Sequence, residues 1–340
     1  MRRLLFLVVL LAASRRADAQ LAVGVQLNSD GDMLAQQLGI TPAELGMRMQ
    51  NAINEAYGAT NVSGFIRSFA DATAFSMRGL GVDYASDPNS LILGVGVNFA
   101  VAASEQVNAT ERPTAGLAAN IGFMAGLNLA SQGAPRWTIF GNGFYRNGST
   151  SDLRGGILAA GLHVQYRLVN PQADQSAATK ALRWTGIDLT GGVELTRWSL
   201  GIDDQIVTEF GVDGANGDAN LILDSTGTFD LTSTTATLPV ELSTGVRIAL
   251  LLSMYVGVAV DLNVGTGKLN TNLTGNLLTT QGQSVGVATI TGGGEESASP
   301  LAARILAGLQ VNLWKLKLYA QVNASATPAA SVGFGIRGVL

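Results

Sequence analysis

The sequence predicts an all-β fold with N-terminal helices, in which about ten antiparallel strands (range ten to fourteen) close into a transmembrane β-barrel. From Leu91 onward, apolar residues recur at every second position in segments of about 9 to 16 residues, whereas strands of soluble sheets average about 5 to 6 residues. The chain of 340 residues is 47% hydrophobic but only 14% charged, against about 25% charged in a soluble domain. So few charges favour a surface that faces lipid.

The first residues have the pattern of a secretory signal peptide. Arg2 and Arg3 precede an apolar run over residues 4–13, and Ala17-Asp18-Ala19 supplies the small residues that signal peptidase accepts before Gln20. An uncleaved anchor is disfavoured, since this apolar run is too short to cross about 30 Å of hydrocarbon. We therefore predict a cleaved signal peptide over residues 1–19, and no later stretch is apolar enough for a transmembrane helix.

Residues 20–88 are predicted to form an N-terminal helical segment. Thr41, Pro42 and Glu44 have the spacing of a capping box with a first-turn proline, which predicts a helix from here to Gly58. A second helix is expected over residues 62–78. Each helix has one apolar face that needs a partner, and two placements remain open: a helical hairpin packed on the periplasmic side of a larger body, or a plug inside a barrel.

The predicted barrel covers residues 89–340. Apolar side chains alternate with small or polar ones, as where Leu93, Val95 and Phe99 alternate with Gly94, Gly96 and Asn98. The same alternation occurs over residues 91–101, 117–129, 158–168, 187–196, 238–250, 256–264, 301–313, 318–323 and 332–340. It predicts one face toward lipid and one toward a lumen.

A sheet in lipid must close, because unpaired backbone groups there cost several kcal/mol each. We expect short turns near residues 131–135, 253 and 314–315, with a longer one at 170–183. The connections at the opposite end are expected at 104–114, 147–152, 202–234, 266–299 and 326–329. Residues 220–231 and 285–291 could be further strands or loop extensions.

With these features the chain resembles bacterial outer-membrane β-barrel proteins over residues 91–340. Their insertion signal places a glycine before a hydrophobic residue and a terminal aromatic; Gly335 matches this pattern, whereas Gly338 and Leu340 depart from it. The resemblance implies two partners, outer-membrane lipid and the barrel-insertion machinery, which would bind the C-terminal strand.

A second resemblance lies just before the barrel. The stretches Arg78-Gly79-Leu80-Gly81, Asp83-Tyr84-Ala85 and Asp87-Pro88-Asn89 are similar to the segment before the first strand of long-chain fatty-acid channels, which also carry N-terminal hatch helices. A glycine-rich turn before a first strand would have the same sequence, and both interpretations stay open.

Charged and polar residues on the predicted inner face are the candidate site residues. They are His163, Arg167, Asp188, Glu194, Glu241, Arg247, Asp261, Arg304, Lys317 and Arg337. Both signs share one face, so neighbours could pair in ladders that fill a narrow barrel. Alternatively, they could line a hydrated pore and set its selectivity.

Enzymatic and metal chemistry find little support in the sequence. The single histidine, His163, could act as a general base, but no nucleophile is evident beside it. The chain has no cysteine, and we predict no metal site of the zinc type and no cofactor. The acidic residues between Asp203 and Asn220 could hold calcium, although their spacing fails the EF-hand pattern and favours a solvated loop.

The predicted function is therefore that of a non-enzymatic outer-membrane barrel. It would pass or bind a small solute, or act as a structural element of the envelope. We predict no nucleic-acid partner, because the formal charge is −4 and the basic residues form no patch. Two alternatives remain: a membrane-embedded hydrolase using His163, and a secreted β-rich adhesin.

Overall fold

The computed structural model describes residues 17–58, 62–85, 91–103, 115–171 and 181–340. The helices are α1 (Ser29–Gln37), α2 (Pro42–Gly58) and α3 (Val62–Phe75). The strands are β1 (Ala17–Leu27), β2 (Leu91–Ala103), β3 (Ala115–Asn128), β4 (Trp137–Ser149), β5 (Leu153–Val169), β6 (Leu182–Val212), β7 (Ala219–Ile248), β8 (Leu252–Thr279), β9 (Ser284–Ser297), β10 (Leu301–Leu313), β11 (Leu316–Ser325) and β12 (Ala329–Val339).

Ten of these strands form a closed antiparallel ring. Strands β2 to β8 pair in chain order, β8 continues to β10, and β10 to β12 follow in order. The ring closes where β12 pairs with β2, with Val332 opposite Phe99. Every ring strand therefore has a hydrogen-bonded neighbour on each side, as a sheet in lipid requires, although β3 pairs with β4 only from Phe123 to Asn128. The predicted closed barrel of ten strands is confirmed.

The two faces of the ring differ as predicted. Leu93, Phe99 and Val101 of β2 are exposed on the outer wall, whereas Asn98 and Ala100 are buried inside. The same alternation continues around the ring, for example in β7 and β8, so the outer wall is an almost unbroken apolar belt. Such a belt is the surface that a barrel turns toward hydrocarbon. The fold is a transmembrane β-barrel.

Within the described part of the chain, none of the helices combines the length and hydropathy needed for a membrane span.

Three ring strands extend far beyond the barrel. β6, β7 and β8 contain 31, 30 and 28 residues. β8 changes partner along its length: residues 252–262 pair with β10, whereas residues 266–278 pair with β9. The predicted loops at 202–234 and 266–299 are therefore wrong, because most of their residues continue these strands or form β9. The open question about residues 220–231 and 285–291 is answered the same way, since both are strand.

The extensions build a body at one end of the barrel, which we call the cap (residues 17–58, 62–75, 197–234 and 266–297). Its sheet contains the distal parts of β6, β7 and β8 together with β9 and β1. Helices α1 and α2 cover one face of this sheet, where Leu45, Met49 and Ile53 of α2 pack with Leu223 and Leu277. The cap thus has its own hydrophobic core.

The N-terminal region is not only helical. Its first element is β1, which pairs with β9 from Gln20 opposite Gly293 to Leu27 opposite Gly286, and α1 follows it. The predicted helix at Pro42 is confirmed as α2, although the second helix ends at Phe75 rather than at residue 78. Residues 17–58 and 62–75 lie at the long-strand end of the barrel, whereas the turns between β3 and β4, β7 and β8, and β10 and β11 lie at the other end.

The predicted capping box of α2 is formed. The Thr41 backbone N–H donates to Glu44 Oε2 at 2.8 Å, and the Glu44 N–H donates to Thr41 Oγ1 at 3.2 Å. The backbone hydrogen bond from Thr41, followed by the bond from its hydroxyl, lowers the pKa of Glu44.

Helix α3 lies across the mouth of the barrel, between opposite walls. A Cβ at Gly116 of β3 would overlap the backbone of Phe69, and one at Gly267 of β8 would lie 2.7 Å from the Ile66 carbonyl oxygen. β3 and β8 are five strands apart in the ring of ten, so the two glycines admit the helix from opposite sides. Asp71 of α3 also accepts hydrogen bonds from the Ser299 N–H and hydroxyl, at 2.6 and 2.8 Å.

Several sequence predictions concern residues outside the described ranges. These are most of the signal peptide (residues 1–16), the connection at 104–114 and residues 172–180 of the turn at 170–183. The turn expected near Ser253 lies instead at residues 249–251, where Ala249 and Leu250 have positive φ. The turn at 314–315 lies where the sequence predicts it.

Candidate functional site in the barrel lumen

The chain passes through the barrel on its way from α3 to β2. Residues 76–85, which we call the lumen segment, follow α3 at the mouth. Asn98 of β2 donates to the carbonyl oxygens of Phe75 and Ser76 near this mouth, whereas Arg247, close to the opposite end, donates to the carbonyl oxygen of Ala85 at 3.0 Å. The segment thus spans most of the lumen, and its residues are almost all buried.

An acidic cluster of the wall surrounds the upper part of this segment. Arg78 forms ion pairs with Glu194 and, through Nε, with Asp261 at 3.1 Å. Arg304 of β10 also contacts this Asp261, at 2.9 Å, and Glu241 of β7. Of these three wall carboxylates, Asp261 and Glu241 contact the wall cation Arg304, and Arg78 supplies the cation that pairs with Glu194. The lumen segment reduces the local charge imbalance of the wall.

The lower part of the segment is matched to cations of the wall. Asp83 forms an ion pair with Arg337 at 3.3 Å, and Arg337 Nη2 donates to the Val82 carbonyl oxygen at 2.6 Å. Tyr84 donates its hydroxyl hydrogen to Glu241 and stacks on Tyr255, with ring centroids 5.3 Å apart. The segment and the wall are therefore complementary in charge at both levels.

The structure buries nine of the ten predicted site residues inside the barrel. They are His163, Arg167, Asp188, Glu194, Glu241, Arg247, Asp261, Arg304 and Arg337. Arg167 and Asp188 form a separate pair on neighbouring strands, at 2.9 Å. Lys317, the tenth, is half-buried near the short-turn end. The sequence left two arrangements of these charged residues open, paired ladders that fill the barrel or the lining of a hydrated pore. The contacts observed correspond to paired ladders.

Two charged residues of the site were not among the predicted ones. Arg78 and Asp83 lie in an irregular segment without periodicity, so alternation could not assign them to a face. One signal was present in the sequence: both charges lie in a stretch of otherwise small and apolar residues. Charges in such a context are seldom buried without a partner.

His163 has little room for chemistry. It is 3% exposed, and its Nε2 lies 3.6 Å from Glu194 Oε1. Its ring faces three glycines: a Cβ built on Gly81, Gly161 or Gly192 would come within 3.0 Å of a ring nitrogen. A substrate could not reach this imidazole without displacing the lumen segment.

The acidic stretch from Asp203 to Asn220 is mostly strand. It forms the distal hairpin of β6 and β7, in which Asp203 and Asp230 pair with Arg154 at 3.1 and 3.2 Å. Within the described ranges, no three His, Asp or Glu side chains are grouped to hold a metal ion. Among the described residues of the lumen, five arginines (78, 167, 247, 304 and 337) meet five carboxylates (83, 188, 194, 241 and 261), so these side chains can neutralise one another and fill the interior.

A protein-family model described as Lsa36-like matches residues 17–340, the barrel and the cap together. The chain belongs to the Lsa36-like family. No curated protein matches the sequence of this Lsa36-like protein.

Solved structures similar to this Lsa36-like protein include three membrane proteins. The outer membrane protease OmpT from Escherichia coli is 8% identical with a TM-score of 0.41, and the match covers 76% of this chain and 99% of OmpT. The translocator domain of autotransporter NalP from Neisseria meningitidis is 12% identical with a TM-score of 0.35, and the match covers 79% of this chain and 93% of that domain. The toluene transporter TodX from Pseudomonas putida is 10% identical with a TM-score of 0.24, and the match covers 77% of this chain and 96% of TodX. The assignment of this Lsa36-like protein as a barrel rests on its own strand pairing.

Proposed function

We propose that this protein is a sealed, non-enzymatic barrel of the outer membrane, which anchors the cap at the cell surface as a binding or structural element of the envelope. It does not conduct solutes in this state. The apolar belt supports placement in a membrane, and short turns at one end with long extensions at the other are typical of periplasmic and extracellular ends, respectively.

The distribution of charge agrees with this orientation. The cap contains fifteen Asp and Glu against four Lys and Arg, a composition suited to water. Cleavage before Gln20 would leave β1 paired with β9 from Gln20 onward, so removal of a signal peptide is compatible with the cap. Insertion would proceed through β12, with the barrel-insertion machinery as partner.

The lumen segment is the observation that carries the proposal. Met77, Arg78, Leu80 and Val82 are each at most 3% exposed, so the wall encloses the segment on all sides. The single side chain of Arg78 contacts one carboxylate from β6 and one from β8, and so it connects the segment to two parts of the ring. A solute would have to displace a buried ion-pair network in order to pass.

Planar-bilayer recording tests the seal. We expect the purified protein to insert without producing stable conductance steps, whereas a steady open level in most insertions would refute the proposal. Because the chain has no cysteine, single cysteines report access directly. We expect Val82→Cys to resist a charged maleimide in vesicles and the exposed Met47→Cys of α2 to react fully; rapid labelling of Val82→Cys would also refute it.

The same cysteines test the orientation on intact cells. We expect Met47→Cys in the cap to be labelled from outside, and Gln132→Cys in the turn between β3 and β4 to be labelled only after the outer membrane is permeabilised. Both side chains are exposed, so a difference reports the side of the membrane. The reverse pattern would place the cap in the periplasm.

A further inference from the structure

The short-turn end of the barrel carries three of the four tryptophans. Trp137, Trp184 and Trp314 are 42%, 44% and 85% exposed, and the first two lie on the outer wall, at the end of the apolar belt. The fourth, Trp198, packs against Phe69 near the opposite mouth. Tryptophan prefers the headgroup level of a bilayer, where its ring is apolar and its N–H stays wet. The sequence alone did not reveal this grouping.

The backbone holds large apolar side chains outward at the tips of two turns. Trp314 has a φ of 56° and Leu250 a φ of 61°, a region that residues other than glycine adopt at a cost. Both side chains are exposed nonetheless. The two turns are neighbours, because the Asn312 N–H donates to the Leu251 carbonyl oxygen at 2.6 Å. Together they present an apolar tip that continues the lipid-facing belt.

Exposed cations lie on two turns at this end of the barrel, one between β3 and β4 and one between β10 and β11. Arg136 and Lys315 are exposed, and the Lys315 ammonium lies 5.5 Å from the centroid of the Trp314 ring. Arg183 and Lys317 are half-buried at the same end. Among the residues that the structure describes at this end, 129–136, 168–171, 181–184, 249–251 and 313–316 include no Asp or Glu. The charge of these described residues is therefore positive, opposite to that of the cap.

We propose that this end is a binding collar for anionic phospholipid, formed by Trp137, Trp184, Trp314, Arg136 and Lys315. Indole rings at the headgroup level fix the depth of the barrel, and the two cations meet the lipid phosphates, each with an attraction that falls off within a Debye length. The inference rests on the proposed membrane placement. It goes beyond the generic apolar belt, since it assigns a headgroup charge to the lipid that borders this end.

The tryptophans themselves report on the collar. We would reconstitute the protein in phosphatidylcholine vesicles and measure quenching of intrinsic fluorescence by brominated phosphatidylglycerol or brominated phosphatidylcholine at equal mole fraction. The ratio of the two gives the relative association constant at the tryptophans. We expect a preference for phosphatidylglycerol of about fivefold for each cation in contact, reduced by 0.5 M NaCl because salt screens exposed charges.

The variant Arg136→Gln/Lys315→Gln should reduce the preference to near unity. Its matched control, Arg146→Gln/Arg197→Gln, removes two exposed arginines away from this end, one in β4 and one in β6 where the cap begins, and should keep the preference. Equal quenching by both lipids in the unmodified protein would overturn the inference, as would a preference that survives the collar variant or disappears in the control.

This experiment also separates the inference from the proposed function. Strong quenching by brominated phosphatidylcholine without any preference shows a barrel in the membrane that lacks a lipid-specific collar, and only the inference fails. No quenching by either lipid means that the barrel is not inserted, and both fail.

Discussion

Replacing Arg78 tests the contribution of the lumen network to stability. In Arg78→Met the side chain keeps much of its volume and loses its charge. Asp261 retains Arg304 at 2.9 Å, whereas Glu194 retains only His163, 3.6 Å away. The change therefore leaves about one buried carboxylate without a cation, and breaking a buried pair in this way costs about 3 to 5 kcal/mol.

The matched control is Arg154→Met in β5. Arg154 also contacts two carboxylates, Asp203 and Asp230, at 3.1 and 3.2 Å, but its side chain is 50% exposed. Solvent screens such a pair, and we expect a loss below about 1 kcal/mol. The double variant Arg78→Met/Glu194→Gln should recover part of the stability that Arg78→Met loses, because it removes the unpaired charge.

Urea unfolding in phosphatidylcholine vesicles, followed by tryptophan fluorescence, gives the free energy of unfolding of the unmodified protein and of the three variants. A free energy of unfolding of Arg78→Met within 1 kcal/mol of that of Arg154→Met would refute a stabilising role for the buried Arg78 pairs. It is also refuted if the double variant is less stable than Arg78→Met, since the carboxylate would then not be the source of the loss.

Two further predictions concern the cap and the mouth. Gly116→Leu should displace α3 from β3, destabilise the protein by about 1 to 3 kcal/mol and speed proteolysis within residues 62–75. The control Gly148→Ala should leave stability and proteolysis unchanged, because no neighbouring atom lies within 4 Å of the added Cβ. Equal protease resistance of both variants would contradict the close packing of α3 between the walls. Since the folded pKa of Glu44 is lowered, its hydrogen bonds stabilise α2 above the ordinary pKa of a glutamate, and this contribution is lost as the pH falls through the lowered value. Thr41→Ala should therefore destabilise the cap more at pH 7 than at pH 3, as measured by hydrogen exchange of α2, and an equal effect at both pH values would contradict it.

Alternation predicted the ring well because lipid imposes it. In β2, β7 and β8, each outward position within the belt must be apolar, and each inward one may be small or polar. Closure of the sheet then followed from the backbone alone, because each N–H and C=O group in lipid needs a hydrogen-bond partner within the protein. The residues of the inner face, Glu194 and Arg304 among them, could be named from their parity within each strand.

The distal strands escaped prediction for a physical reason. In β7 the apolar residues are outward from Leu238 to Leu242, but inward at Leu221 and Leu223, where α1 and α2 cover them. The period of two persists while the apolar face changes sides, because the surroundings change from lipid to water. Because its apolar face changes sides, such a segment lacks the single apolar face by which membrane strands are recognised in a sequence.

The partners inside the lumen could not be predicted from the sequence. Pairing of Arg78 with Glu194 joins residues 116 positions apart, and nothing local encodes it. The similarity of residues 78–89 to the segment before the first strand of fatty-acid channels indicated only that this stretch differs from an ordinary linker. Its course through the barrel depends on the position of β1 and the helices at the far end, which in turn depends on β9.

The course of residues 76–85 also constrains how the protein is assembled. They are joined to the cap above and lead to β2 below, and the seam between β12 and β2 completes the cylinder around them. Once that seam has formed, the lumen segment cannot be withdrawn from the barrel without first unfolding the cap. Assembly must therefore place the cap on the far side before β12 pairs with β2, and in the finished molecule the segment and the ring are interlocked.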